Sequence, residues 1–415
     1  GFADVTAKFY GEVDIPVCTT NRINTPEKGE EILAAGKADM VSMARPLLAD
    51  SEFVRKAEQG RSDEINTCIA CNQACLDHAF QAKRASCLVN PRACHETELV
   101  LTVAPVVRRV AVVGAGPAGL AAATTAAKRG HKVTLFDADD RIGGQFNYAK
   151  RIPGKEEFYE TLRYYQRQIE LLEIDLKLGT RVDADSLKAQ GFDDVVIATG
   201  VKPRTPAIEG IDHPKVLGYL DVLRHNKPVG ATVAVIGAGG IGFDVSEFLT
   251  HDFSHHPEGE QVSVADWQAE WGVHPDFDGP GGLAERQPTP SPRKIYLMQR
   301  KTGKVGGGLG KTSGWVHRNS LKHREVEMLR GCRYERIDDQ GLHISLTDKD
   351  GKVTESRVLA VDNVIICAGQ EPYRELFDEL SDSGVTAHLI GGADVAEELD
   401  AKRAIRQGTE VAAKL

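Results

Sequence analysis

The sequence has no surplus of positive charge, no long apolar run and no even scatter of cysteine, and each shortage removes a class of protein. Lys plus Arg number 51 against 60 Asp plus Glu, a net charge of −9 at pH 7. That balance argues against a surface built for nucleic acid or for an anionic membrane. No stretch approaches the ~18 apolar residues that span a bilayer, and no charged-then-apolar segment opens the chain. A cytoplasmic address is therefore expected, with neither nucleic acid nor membrane as a partner. The eight cysteines are not spaced as a disulfide framework: four crowd into positions 68 to 87. Such crowding suits metal ligation in a reducing compartment. With 415 residues, 41% of them hydrophobic, the chain can bury roughly two to four domain cores.

What is present is organised around Val110-Ala111-Val112-Val113-Gly114-Ala115-Gly116-Pro117-Ala118-Gly119-Leu120, an apolar strand running into Gly-x-Gly-x-x-Gly. An alanine-rich helix follows, so the stretch opens a dinucleotide-binding βαβ unit. Gly114 makes the tight turn, Gly116 lets the backbone approach a pyrophosphate, and Gly119 lets helix and strand pack closely. The pyrophosphate sits on the helix N-terminus, where free N–H groups favour negative charge. The next strand, 132–136, ends on Asp137, about twenty residues past the glycines, where an acid binds a ribose hydroxyl. The bland alternative is a glycine turn without a ligand; strand, helix and acid together weigh against it.

The chain then repeats itself. A second strand enters Gly237-Ala238-Gly239-Gly240-Ile241-Gly242, and Val364 to Gly369 copies the earlier run from Asp194 to Gly200, an apolar strand ending in small residues. Two nucleotide units imply two nucleotides, hence electron or hydride transfer. The copies differ after their second strands. Strand 294–299 ends on Arg300-Lys301 rather than on an acid, so the second site reads as NADP(H) and the first, with Asp137, as FAD or NAD. Gly143-Gly144-Gln145 offers backbone that can close over a cofactor. Asp394, just before a helix at 401–407, returns as if to finish the first domain. The stretch 251–292 reads as a surface excursion, of which Trp267 and Trp271 imply that part docks.

Residues 1–62 read as two βα units. Strands are expected at 13–20 and 39–44, and helices at 26–35, with Thr25 as cap and Pro26 at the first position, and near 51–59. Both strands lead to arginine, Arg22 and Arg45. In a (β/α)8 barrel the loops after the last two strands form the usual phosphate site, so the pair suits a phosphorylated cofactor; two surface arginines are the alternative. Next, Cys68, Cys71 and Cys75 can converge from one loop, and Cys87 completes four ligands. Thiolate-only ligation selects zinc or iron–sulfur. Zinc sites more often pair two Cys-x-x-Cys knuckles, whereas three cysteines plus a distant fourth is the pattern of a [4Fe–4S] site. Cys94 reads as a packed thiol.

In this order the features resemble the iron–sulfur flavoenzyme family of trimethylamine dehydrogenase and NADPH-dependent 2,4-dienoyl-CoA reductase. The likeness is most specific in Asn66-Thr67-Cys68-Ile69-Ala70-Cys71-Asn72-Gln73-Ala74-Cys75 and in Cys367-Ala368-Gly369-Gln370-Glu371-Pro372. It implies a (β/α)8 barrel with FMN, a [4Fe–4S] cluster, and Rossmann-like FAD and NADP(H) domains of the flavin disulfide reductase type, an α/β protein throughout. Carried over, Arg22, Ala44 and Arg45 match FMN-phosphate positions, and Cys68, Cys71, Cys75 and Cys87 match the cluster ligands. Gly116, Pro117, Ala118, Asp137, Gly144, Gln145, Val182 and Asp394 match FAD contacts; Arg300 and Lys301 match the NADP phosphate contact. The expected domains are 1–63 (barrel remnant), 64–104 (cluster segment), 105–228 plus 362–415 (FAD) and 229–361 (NADP(H)).

Only the last two of eight barrel units are expected here, leaving the FMN site incomplete. The tyrosine and histidine that donate protons in the family have no counterpart, so no catalytic residue is assigned. The implied activity passes electrons from NADPH to FAD, to the cluster, to FMN and to a 2,4-dienoyl-CoA thioester of fatty-acid β-oxidation. A related amine dehydrogenase is one alternative, against which Arg300-Lys301 weighs. An NADPH diaphorase or electron-transfer module is another.

Overall fold

Val110, Ala111, Val112, Val195, Val196 and Ile197 have no measurable exposure, as strands covered on both faces require. The computed structural model, which describes residues 2–253, 262–381, 384–397 and 400–415, places them at the centre of a five-stranded parallel sheet. Its order is Thr386–Leu389, Asp194–Ile197, Arg109–Val113, Lys132–Phe136, Asp175–Lys177. Arg109–Val113 has its successor on one side and a later strand on the other, so the glycine turn leaving it stands where the strand order reverses. Helix Pro117–Lys128 begins with proline at its first turn. It is crossed by Ala401–Ala412, five residues longer than expected. The crossing is close because Gly408 lacks a side chain: a Cβ there would lie 2.2 Å from the Ala118 carbonyl oxygen.

This sheet belongs to a first compact unit comprising Gly1–Phe146, Glu157–Val201 and Pro372–Leu415. The segment expected to form a separate domain at 64–104 is part of it. Cys68, Leu88 and Val89 share a buried cluster with Ala49, Ala121, Phe146 and Ile405, so the cysteine segment packs on the two crossing helices. The amino-terminal strands are shorter than expected. Only Cys18–Thr20 and Met40–Ser42 pair, in parallel, and Ile15 is 71% exposed. Among the described residues no further strand lies beside this pair, and such a pair holds only the residues whose ladder bonds it can complete. Thr25 caps helix Pro26–Ala34 by accepting from the Lys28 N–H.

The second unit, Asn147–Glu156 and Lys202–Glu371, repeats the design. Its parallel sheet runs Glu327–Leu329, Lys294–Met298, Thr232–Ile236, Asn363–Ile366, Val216–Gly218. The division therefore falls at 201/202 and 371/372 rather than at 228/229 and 361/362. Val216–Gly218 and Asn363–Ile366 complete this sheet's ladder, and the backbone pairing decides to which unit they belong. A three-stranded antiparallel sheet, Cys332–Asp338, Gly341–Thr347 and Val353–Leu359, follows. Of the excursion at 251–292, residues 254–261 lie outside those described. Helix Val264–Trp271 docks through Trp271, whose ring meets His323 edge-on at 5.9 Å, and through Glu270, which pairs with buried Arg324 at 2.6 Å; Trp267 stays 49% exposed. Among the described residues no helix is long and apolar enough to cross a membrane.

Candidate functional site

In the first unit Gly114 has φ +108°, and a Cβ there would lie 2.3 Å from the Ala198 carbonyl oxygen. A Cβ on Gly119 would lie 1.8 Å from the carbonyl oxygen of Gly114, so both glycines are required by backbone approach rather than by a ligand. Gly116 differs: its nearest neighbour is the Gly144 Cα at 3.9 Å, and the space before the helix is free for a ligand's backbone approach. Gly143, beside Gly144 and Gln145, donates its N–H to the Ala115 carbonyl at 2.8 Å, which lays that loop over the turn. Pro117 opens the helix and Ala118 is buried under Gly391 and Gly408.

Asp137 accepts the Ala115 N–H at 2.6 Å through one carboxylate oxygen and the Asp139 N–H at 2.8 Å through the other. Asp137 and Val182 line one cavity of ≈ 450 Å³, together with Gly114, Thr180 and Tyr373. Asp394 is not in it. Its carboxylate accepts from Gln407 Nε2 at 2.7 Å, and Gln407 in turn accepts the Gly391 N–H at 2.8 Å, which ties the loop to the crossing helix.

Elsewhere in the same unit, Arg22, Ala44 and Arg45 line a cavity of ≈ 170 Å³ with Asn21 and Cys68. Asn21 and Arg22 adopt left-handed φ values of +77° and +61°, which non-glycine residues hold only where the surroundings over-determine them. Arg22 pairs with Glu157. Asn24 donates to the Cys68 carbonyl at 3.1 Å and to Glu157 at 3.3 Å.

The four cysteines meet. Cys68, Cys71, Cys75 and Cys87 line one cavity that Arg45 and Asn72 also border. Ala70 and Asn72, between the first ligand candidates, are again left-handed at φ +51° and +61°. Burial pushes the Cys71 and Cys87 thiols up to about 12 and raises that of Cys68 as well. Such thiols stay protonated at neutral pH unless a cation displaces the protons. Among the described residues, no three of the sulfurs all lie within 4.8 Å of one another. Cys94 is exposed at left-handed φ +62°, so its expected place as a packed thiol is corrected: the turn presents it to solvent.

Sequence inspection missed the side chains that hold this loop. Arg163 reaches from helix Phe158–Leu171 to the Ile65 carbonyl at 2.8 Å and to Thr67 Oγ1 at 3.3 Å. Glu157 and Asn72 were likewise unmarked, because partners 135 and 27 residues apart in sequence leave no local pattern.

The second unit's turn copies the first. Gly237 has φ +109° with a Cβ position 2.3 Å from the Cys367 carbonyl oxygen, and that of Gly242 is 1.7 Å from the Gly237 oxygen. Gly239 and Gly240 face open space. Arg300 and Lys301 follow strand Lys294–Met298 and are exposed, and neither side chain has a hydrogen-bond or ion-pair partner among the described residues.

The sequence matches the pyridine nucleotide-disulphide oxidoreductase family over residues 108–403 and the NADH:flavin oxidoreductase / NADH oxidase family over residues 3–64. It is 33% identical over 385 residues to a metal reductase of Desulforamulus reducens, spanning 92% of this chain and 55% of the relative. It is 31% identical over 405 residues to a bilirubin reductase of Mediterraneibacter gnavus, spanning 97% and 56%. A solved 2-naphthoyl-CoA reductase, in complex with 2-naphthoyl-CoA, superposes with a TM-score of 0.84 at 28% identity, covering all of this chain and 56% of that one. The chain thus spans about half the length of the relatives it matches.

Proposed function

The chain belongs to the pyridine nucleotide-disulphide oxidoreductase family, and from that premise we propose that it is an NADPH-dependent flavin and iron–sulfur reductase of conjugated enoyl-CoA thioesters, of the 2,4-dienoyl-CoA reductase type. The observation that carries this reading is the four-thiol cavity sharing Arg45 and Cys68 with the arginine-lined cavity beside it. When bound, the nicotinamide supplies a hydride, the flavins exchange hydrides for single electrons, and a [4Fe–4S] cluster carries single electrons.

The chain's own residues bind and orient. In the first unit Gly116 and Ala118 present backbone N–H groups to an FAD pyrophosphate at the helix that Pro117 opens, Gly144 and Gln145 cover it, and Asp137 accepts from the ribose, with Val182 walling the adenosine side and Asp394 fixing the loop. Gly239 and Gly240 do the same for NADPH in the second unit, on the turn that Gly237 and Gly242 shape, and Arg300 and Lys301 hold its 2′-phosphate. Arg22 and Arg45 take the FMN phosphate while Ala44 leaves it room. Cys68, Cys71, Cys75 and Cys87 hold the cluster, their protons displaced as it assembles.

The test is the visible spectrum and metal content of anaerobically purified protein. Flavin bands with a broad shoulder that NADPH bleaches, and acid-labile sulfide, are expected. Cys71→Ser removes the shoulder and leaves FAD bound. Stoichiometric zinc without sulfide would overturn the assignment.

A further inference from the structure

Arg45 stands between two cavities. It borders the one lined by the four thiols and the one lined by Arg22 and Ala44, and Cys68 does so too. Its guanidinium fork donates from Nη1 to Asn72 Oδ1 at 2.7 Å and from Nη2 to Asn21 Oδ1 at 3.5 Å. Each acceptor lies in a different loop, and each is left-handed: Asn72 at φ +61°, in the stretch from Cys71 to Cys75, and Asn21 at +77°, beside Arg22. Asn tolerates that conformation better than most residues. One planar cation therefore pins the loop that carries the thiols to the loop that carries the anion pocket.

From this clamp we propose that Arg45 couples the two cavities: a phosphate monoester bound beside Arg22 and Arg45 lowers the reduction potential of the centre held by the four cysteines, and reduction of that centre loosens the phosphate. The inference rests on the iron–sulfur reading above. The physics is charge. Reduction adds one electron to the centre, supplied in the experiment by dithionite, with no bond made or broken and no proton required. A phosphate monoester brings a charge of −1.5 to −2 at neutral pH and engages the same guanidinium that otherwise offsets negative charge at the thiol loop. Outer hydrogen bonds and nearby charge are the levers by which a protein tunes such a centre. Coupling of binding free energies is reciprocal, so the phosphate binds the oxidised protein more tightly by the factor that the potential reports. A tenfold difference in affinity corresponds to 59 mV for a one-electron couple.

The experiment is an anaerobic redox titration followed by EPR, on protein desalted into phosphate-free buffer and assayed for iron and sulfide. It is run with no addition, with inorganic phosphate, with FMN and with riboflavin. Inorganic phosphate is expected to lower the midpoint by about 59 mV, and titration calorimetry to show about tenfold weaker phosphate binding to reduced protein. A shift with FMN and none with riboflavin identifies the flavin's phosphate as the group that acts; an equal shift with riboflavin overturns the inference, because the ring would then be responsible. Asn72→Ala retains both arginines and cuts the clamp. It is expected to keep phosphate binding while losing most of the shift, and Arg45→Gln to lose both. If Arg45→Gln fails to retain iron, Arg45→Lys replaces it, with a reduced shift expected. Iron and sulfide present with a midpoint unmoved by phosphate overturns the coupling alone. Absence of iron and sulfide overturns the cluster reading and the coupling with it.

Discussion

Arg300→Ala separates the two nicotinamide cofactors at the second glycine turn. Arg300 and Lys301 follow strand Lys294–Met298, are exposed, and hold no protein partner among the described residues, so neither needs to break a bond to meet a ligand. A charge-assisted hydrogen bond contributes about 1.5–3 kcal/mol, and exposure puts these contacts at the lower end, about 1.5 kcal/mol each. At 1.4 kcal/mol per factor of ten, Arg300→Ala should lower kcat/KM for NADPH roughly tenfold, and the Arg300→Ala, Lys301→Ala pair roughly a hundredfold. NADH lacks the 2′-phosphate and should be hardly affected. The assay is ferricyanide reduction with each cofactor at two salt concentrations. Because the Debye length falls from ~10 Å at 0.1 M to ~3 Å at 1 M, the wild-type preference should shrink at high salt and the double variant's should not. Equal losses for NADPH and NADH would mean that the arginine supports the fold of the turn and not the phosphate.

Two further outcomes concern the units that carry the sites. Glu247, half-buried near the end of helix Gly240–Leu249 and accepting from Ser320 Oγ at 2.8 Å, is pushed by desolvation from 4.5 to about 7. An acid whose folded value is raised contributes stability that is fully present below about pH 4.5 and is lost as pH rises through 7. A rise of that size, at ~1.36 kcal/mol per pH unit, amounts to about 3 kcal/mol. Glu247→Gln keeps an acceptor for Ser320, so its melting temperature should draw ahead of wild type between pH 5 and pH 8; a gap that does not change with pH refutes this. In the first unit, Gly408→Ala drives a Cβ toward the Ala118 carbonyl oxygen at 2.2 Å. Forced separation of the helices should cost about 1–3 kcal/mol, seen as lower urea stability and weaker FAD retention, and unchanged stability would show that the crossing has slack.

Most of this architecture was legible where chemistry is local. Gly114, Gly119, Gly237 and Gly242 could be read because a turn that brings backbone within 2.3 Å of a would-be Cβ tolerates one residue type. Strands Arg109–Val113 and Thr232–Ile236 could be read because each ends in four consecutive buried residues, and burial on both faces demands unbroken apolar runs. The domain division was misjudged because Val364 is apolar in either sheet, and only the pairing of Asn363 with Val233 shows which one it joins. The antiparallel sheet went unread because Glu327 to Leu359 alternates weakly, with exposed residues along much of Val353–Leu359.

The residues around the thiols show where sequence reading stops and why. Four cysteines announce a donor set through their spacing, yet spacing is silent on what surrounds them. Asn72 looks like filler between ligands until Arg45 is seen to reach it at 2.7 Å, and Arg163 looks like a solvent-facing helix residue until it is seen to hold the Ile65 carbonyl. Both act across long sequence separations and through polar atoms that any surface residue possesses. A ligand-type residue is selected for its element, a supporting one only for its position. It follows that variants of the supporting residues, not of the cysteines, are the ones able to change the behaviour of the centre while leaving it assembled.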